Sequence, residues 1–300
     1  MTLVRYATHV DPASIKARVM VVTLGSFMDA GHTQRILDEH LINSLPHHPV
    51  ASFDTDALVN YREHRPPIVF DRDHFTGYEA PEIALDHLLD AKGTPFLLLR
   101  GVEPDFKWET LTAELMEVIG RHEVSLIVLA QSVPMPVPHT RPVTLTRHAS
   151  NPSLLPGNEP IFGTMRMGAS FPAVLALKLA DAGHDVVGLA AHVPHYVTET
   201  DFPDAALAVL QALGQVTGLD LPITSLALAA GFARAQLSAS IGDSEEAIAV
   251  VTALEEQYDS FVEGNRSLPT DTNLPTADEI GAEAEDFLKR HLDDGSAGEN

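Results

Sequence analysis

Apolar residues along this chain fall into two kinds of pattern. Four short runs are nearly continuous: Val19 to Leu24, Pro95 to Arg100, Leu126 to Ala130 and Val186 to Val193. Runs of this length, rich in β-branched and large aliphatic residues, predict strands buried on both faces. Between them the spacing becomes helical. Gln34, Ile36, Leu37 and Leu41 mark one helix, and Trp108, Leu111, Leu115, Val118 and Ile119 a second. Phe171 to Ala182 forms a third, with Gly183 where a stop is expected. Strands of this type alternating with helices predict an α/β protein with a mostly parallel, mixed sheet between helices. A hairpin is expected near Ile68 to Tyr78, with Thr76-Gly77 as its turn.

From about Leu221 the pattern changes. An Ala/Leu-rich run to Ile241 reads as helix, and Asp243-Ser244-Glu245-Glu246 opens another, with acids where the helix dipole favours them. Its apolar residues Ile248, Val251, Leu254, Tyr258 and Phe261 fall on one face and need cover. A loop from Asn265 to Pro275 precedes Thr276-Ala277-Asp278-Glu279, which has capping-box spacing, and a last helix to about His291. The expected organisation is an α/β core over 1–220, a helical extension over 221–292 and a disordered polar tail over 293–300.

Charge narrows the partners. The net charge is −23, which argues against nucleic acid and anionic membranes. Residues 241–300 hold 16 acidic residues against three basic ones, −13 of that total, as a solvated acidic segment would. With no cysteine, disulfides, thiol nucleophiles and Cys-ligated zinc are excluded. The opening MTLVRYATHVDP lacks the apolar core of a secretory signal, and Val19 to Met28 is too short to span a bilayer, so a soluble cytoplasmic protein is expected.

Candidate chemistry is sought beyond the carboxyl ends of the strands, where open parallel sheets gather ligands. After the first strand come Gly25, Ser26, Asp29 and Gly31; after the Pro95 strand, Glu103 and Asp105. The Leu126 strand leads into Ser132-Val-Pro-Met-Pro-Val-Pro-His-Thr-Arg-Pro142, where alternate prolines disfavour helix and ordinary pairing and carry His139 and Arg141 on a stiff extended segment. The Val186 strand ends in His192 and His195. These residues, with Ser170 at a helix start, form a candidate ligand or interface rim.

Each has a plainer reading. Gly25, Ser26 and Gly31 do not spell GxGxxG and suit a tight strand-to-helix turn. Asp29 suits a helix start as well as a functional carboxylate, and Glu103-Pro104-Asp105 suits the start of the Trp108 helix. His192-x-x-His195 lacks a third ligand, so no metal site is expected. Gly168 to Pro172 is a helix N-terminus that could take phosphate, yet it is not GxSxG, and Ser170 reads as a plain N-cap. His47-His48 reads as loop. Arg141, held extended before Pro142, is expected to pair with Glu103 or Asp29.

Taken in order, GSFMDAG (25–31), ASFDTDALVNYREHRP (51–66), PFLLLRGVEPDFKW (95–108), PHTRP (138–142), AAHVPHY (190–196) and LEEQYD (254–259) resemble the actinobacterial branch of the proteasome assembly chaperone 2 family, from about Val4 to His291. The resemblance implies a phosphorylase/hydrolase-like α/β fold with a helical C-terminal extension. It also implies a homo-oligomer, with a trimer as the candidate form, and proteasome subunits as candidate partners. Some members end in a hydrophobic-Tyr-any tripeptide that inserts into α-ring pockets. This sequence ends Ala297-Gly298-Glu299-Asn300, so that docking mode is not carried over. No catalytic residue and no cofactor comes with the resemblance.

Two readings follow. The first is a non-enzymatic, assembly-chaperone-like protein whose proline segment is a rigid interface element and whose Leu254, Tyr258 and Phe261 face folds back on its own domain. The second is a nucleoside- or phosphate-type binder or hydrolase/phosphorylase-like enzyme. It would bind an anion at Gly25-Ser26 or Gly168-Ser170, with Arg141 as clamp and Asp29, Glu103 or His192 as acid or base. The first is the expected one.

Overall fold

The computed structural model of the protein describes residues 2–8, 10–25, 29–242 and 244–264. Ser26, the loop from 265, the last predicted helix and the polar tail lie outside the described residues. In chain order the first half comprises β1 (Val4–Tyr6), β2 (Val19–Gly25), α1 (Thr33–Ser44), β3 (His47–Phe53), α2 (Thr55–Leu58), α3 (Tyr61–His64), β4 (Val69–Asp71), β5 (His74–Thr76), β6 (Ile83–Leu89) and β7 (Pro95–Val102). Then follow α4 (Trp108–Arg121), β8 (Leu126–Met135), β9 (Leu145–Ala149), α5 (Phe171–Asp181), β10 (Asp185–Pro194), α6 (Pro203–Thr217), α7 (Thr224–Gly242) and α8 (Glu245–Gly264).

The main sheet is mixed, in the order β1-β3-β6-β7-β2-β8-β10-β9. Its four central strands, β7, β2, β8 and β10, run parallel and are the four apolar runs of the sequence. The flanks β1, β3, β6 and β9 are antiparallel. Along β2 the side chains alternate between the two faces. Val19 and Val21 join a core with Leu37 of α1 and Val209 of α6. Met20, Val22 and Leu24 join one with Leu115 of α4 and Phe171 of α5. Each such fully buried side chain contributes ~1.5–3 kcal/mol, which is why the uninterrupted runs occupy the centre.

Gly183 stops α5 as expected. It takes φ +88, donates to the Ala180 carbonyl, and lets His184 donate to Leu179, a Schellman closure that a side chain at Gly183 would strain.

Four expectations need correction. The prolines do not end pairing: β8 runs on to Met135, with Pro134 opposite Val193. Regular pairing with β2 stops at Leu129, so β8 there has β10 as its main neighbour, and such a half-free edge tolerates proline. The hairpin turns at Arg72-Asp73, with Arg72 at φ +57, rather than at Thr76-Gly77. His47 and His48 open β3 instead of lying in a loop. Finally, Ile248 is exposed on α8, while Val251 and Leu254 are buried.

Candidate functional site

At the strand ends the described candidate residues fall into two separate regions. On the β8/β10 side the extension closes over them. His139 is 2% exposed. Its Nδ1 lies 2.9 Å from the Tyr196 hydroxyl and its Nε2 3.0 Å from Ser238 Oγ of α7. Burial holds its imidazole below the ordinary value, against the pull of Glu255. Arg141 grips α8: Nε and Nη2 reach the two carboxylate oxygens of Asp259 at 2.8 and 2.7 Å, and Nη1 reaches Glu255 at 3.2 Å. Thr140 donates to the same Glu255, and Tyr258 donates to the Pro142 carbonyl at 2.9 Å. The partners expected for Arg141, Glu103 or Asp29, are therefore wrong; its partners are the acids of α8, spaced one helical turn apart.

Beneath that contact, Phe261, Tyr258 and Gln257 close on Met135, Pro136 and Val137, leaving a void of only about 50 Å³. The α8 face is thus covered by its own chain. Burial of Val251 and Leu254 supplies most of the energy, and the half-exposed ion pairs set register. His192 faces the same region from β10. Its ring nitrogens lie 2.9 and 2.7 Å from the hydroxyls of Thr144 and Thr146, and burial lowers its pKa to about 4, so it stands neutral and structural. His195 is exposed just past β10, edge-on to Tyr196.

On the β2/β7 side the rim is open. A cleft of about 620 Å³ lies at the ends of these strands and includes Gly25, Asp29, Asp38, Glu79, Glu82 and Arg100. Asp29 Oδ1 accepts from the Gln34 amide at 2.6 Å, holding the start of α1, and burial raises its pKa. Arg100 is committed to Asp86 at 2.7 Å and to Glu82 at 3.0 Å. A second cleft of about 550 Å³ lies beside it, with His64 on both linings and Glu103 and Asp105 in its wall.

Glu103 accepts from the Phe171 amide at 2.5 Å, so it caps α5 together with Ser170, whose Oγ accepts from Ala173. It does not start the Trp108 helix, where Lys107 stands at the N-cap. Asp105 holds the Asn60 amide at 2.6 Å and His64 at 3.1 Å. Asp29, Arg141 and His192 therefore do not converge on one reacting atom. Around Gly25 the carboxylates outnumber the cations, an unfavourable setting for phosphate.

Sequence reasoning missed Thr23, Gln34, Asp38, Asp86, Glu255 and Asp259. The signals were present: Gln34/Asp38 and Glu255/Asp259 are i, i+4 pairs, and Asp86 interrupts an apolar strand. Among the described residues, no group of His, Asp or Glu is placed to hold a metal, and no helix is long and apolar enough to cross a membrane.

A mixed α/β sheet with a helical C-terminal part of this topology defines a known class. The PAC2 family model matches residues 23–240, and the chain belongs to that family. It is similar to a Mycobacterium tuberculosis protein of unknown function, 39% identical with a TM-score of 0.84, over 88% of this chain and 90% of that one. It also resembles a Mycobacterium tuberculosis proteasome-assembly chaperone homologue, 25% identical with a TM-score of 0.70, over 78% and 99% of the two chains. An archaeal proteasome activator from Pyrococcus furiosus shares the fold, with 14% identity and a TM-score of 0.59 over 80% and 99%. No curated protein matches the sequence.

Proposed function

We propose that this protein is an assembly-chaperone-like factor that works as a homo-oligomer through protein contacts rather than by catalysis, in the cytoplasm, with proteasome subunits as its further partners. The observation that carries this reading is the β4–β5 hairpin. Ile68, Val69, Phe70, Phe75 and Tyr78 are all more than half exposed on it. Phe70 and Phe75 meet edge-on at 5.0 Å. So many apolar side chains exposed on one short hairpin are unfavourable in water and suit an interface. Family membership and the likeness to a proteasome-assembly chaperone homologue supply the direction of the reading.

The test has two parts. Light scattering on the full chain is expected to give an oligomer whose mass falls to that of one chain in Phe70→Ser/Phe75→Ser. Native mass spectrometry after mixing with separately purified proteasome α and β subunits of the same organism is expected to show a complex with α subunits that is lost on full assembly. A monomeric wild type would remove the oligomer, and no complex at micromolar concentration would remove the proteasome.

A further inference from the structure

The open half of the rim has a chemistry of its own. On α1, Gln34 and Asp38 lie one turn apart and face the end of β2. Thr23 Oγ1 donates to Asp38 Oδ1 at 2.5 Å. Gln34 is 2% exposed and its Nε2 donates to the Leu24 carbonyl at 3.3 Å, yet its Oε1 has no hydrogen-bond partner among the described residues. Gln34 and Gly25 both line the cleft, and a Cβ at Gly25 would come within 2.6 Å of that buried oxygen. A glycine at 25 is what leaves room for the carboxamide.

The ion-pair inventory is equally one-sided. Arg100 is committed to Asp86 and Glu82, and Arg35 to Glu39 and Asp201. Asp29, Asp38 and Glu79 carry no ion pair among the described residues. Burial pushes the Asp38 carboxyl well above the usual range, with Thr23 and Arg100 opposing. A buried carboxamide oxygen without a donor, beside carboxylates that carry no ion pair among the described residues, is unfavourable and calls for a ligand that brings both a donor and a positive charge. Across the cleft, Pro66, Pro67 and Pro81 form an apolar wall.

We propose that this cleft binds an aliphatic ammonium or guanidinium group, its N–H donors shared by Asp29, Asp38 and Gln34 Oε1 and its alkyl stem against Pro66, Pro67 and Pro81. The same head group occurs on a free diamine and on a lysine or arginine side chain of a polypeptide. The full-length chain is titrated calorimetrically at low ionic strength and near-neutral pH with 1,4-diaminobutane, and separately with Nα-acetyl-lysine methylamide and Nα-acetyl-arginine methylamide.

Saturable one-to-one binding is expected in at least one arm. Binding of the diamine alone identifies a free amine, and binding of a blocked residue identifies a polypeptide side chain. Asp38→Asn and Gln34→Leu should each weaken it about tenfold, the loss expected for one hydrogen bond to a charged group. Glu79→Gln, an exposed substitution that leaves the fold alone, should weaken it about two- to threefold, while Glu256→Gln on α8 should change nothing. No saturable binding in any arm overturns the proposal. So does equal binding by the wild type, Asp38→Asn and Glu79→Gln, which would reduce the effect to diffuse attraction toward a chain of net charge −23.

Discussion

The two halves of the strand-end rim start from the same topology and end differently. At the ends of β8 and β10 the chain supplies its own cover: α7 meets His139, α8 meets Arg141, and the remaining void holds about 50 Å³. At the ends of β2 and β7 no such cover is present among the described residues, and a cleft of about 620 Å³ remains. The residue types follow the difference. In the covered half the buried rings of His139 and His192 are matched to hydroxyls, as a dry interior requires. In the open half carboxylates exceed cations, and an amide oxygen has no partner among the described residues. A strand-end position in a parallel sheet is therefore a location for a site without being one. Whether the chain fills it decides the chemistry.

The largest expected effect lies at the floor of the open half. Gly101 ends the β6–β7 pairing opposite Ile83 at φ +120, and a Cβ there would fall 1.9 Å from the Glu82 carbonyl oxygen. Gly101→Ala combines backbone strain with a clash against rigid backbone, so a loss of about 3 kcal/mol or more is expected in urea unfolding. A loss under about 1 kcal/mol would mean that this floor is pliable, and the contrast between a fixed open half and a packed one would weaken.

The covered half is tested by acid. The His192 pKa stands at about 4 in the folded protein against 6.5 for a free imidazole. Between these values the unfolded chain binds the proton and the folded chain does not. The stabilisation is therefore full above pH 6.5 and is lost as pH falls toward 4, amounting to ~3 kcal/mol at most. His122 and His139 are lowered by burial as well and add to the same slope. In His192→Gln the proton uptake on unfolding near pH 5 should fall by about one, measured from urea unfolding across that range. An unchanged slope would show that water reaches His192 and that this half is wetter than its packing indicates.

What could be read from sequence follows the same division. The four central strands were legible because burial on both faces makes them uninterrupted apolar runs. β6 was not, because Asp86 and His87 break its run: Asp86 is buried against Arg100. β3 opens with His47, His48 and Pro49, all exposed, and only its second half is buried. The rim residues were legible as a place, since their elements end at one edge of the sheet. Their partners were not, because each is set by tertiary contact. Arg141 finds α8 across 118 positions of sequence, and Glu103 finds the amide of Phe171 across 68. The quoted motifs PHTRP and LEEQYD held both sides of the Arg141 contact, but nothing in their spacing joined them.

The smallest global effect, and the one that probes the cover directly, is at Arg141. Its two carboxylate partners sit on α8 alone, and Arg141 holds Asp259 below the usual carboxylate range. The guanidinium is partly exposed, so salt and water weaken the pair, and removing it should leave the unfolding midpoint of the α/β core nearly unchanged. Locally the effect is different. α8 keeps Val251 and Leu254 buried but loses the bidentate contact that fixes its register over the proline segment. Arg141→Met retains much of the stem and removes the charge. It should speed amide exchange in α8 and increase protease cleavage there about three- to tenfold, with β8 and β10 still protected. Arg141→Lys should recover little, because an ammonium cannot reproduce the two-pronged contact with Asp259. If exchange in α8 and in the core accelerated together, the cover would be part of the core, and the two halves of the rim would differ in degree of packing rather than in kind.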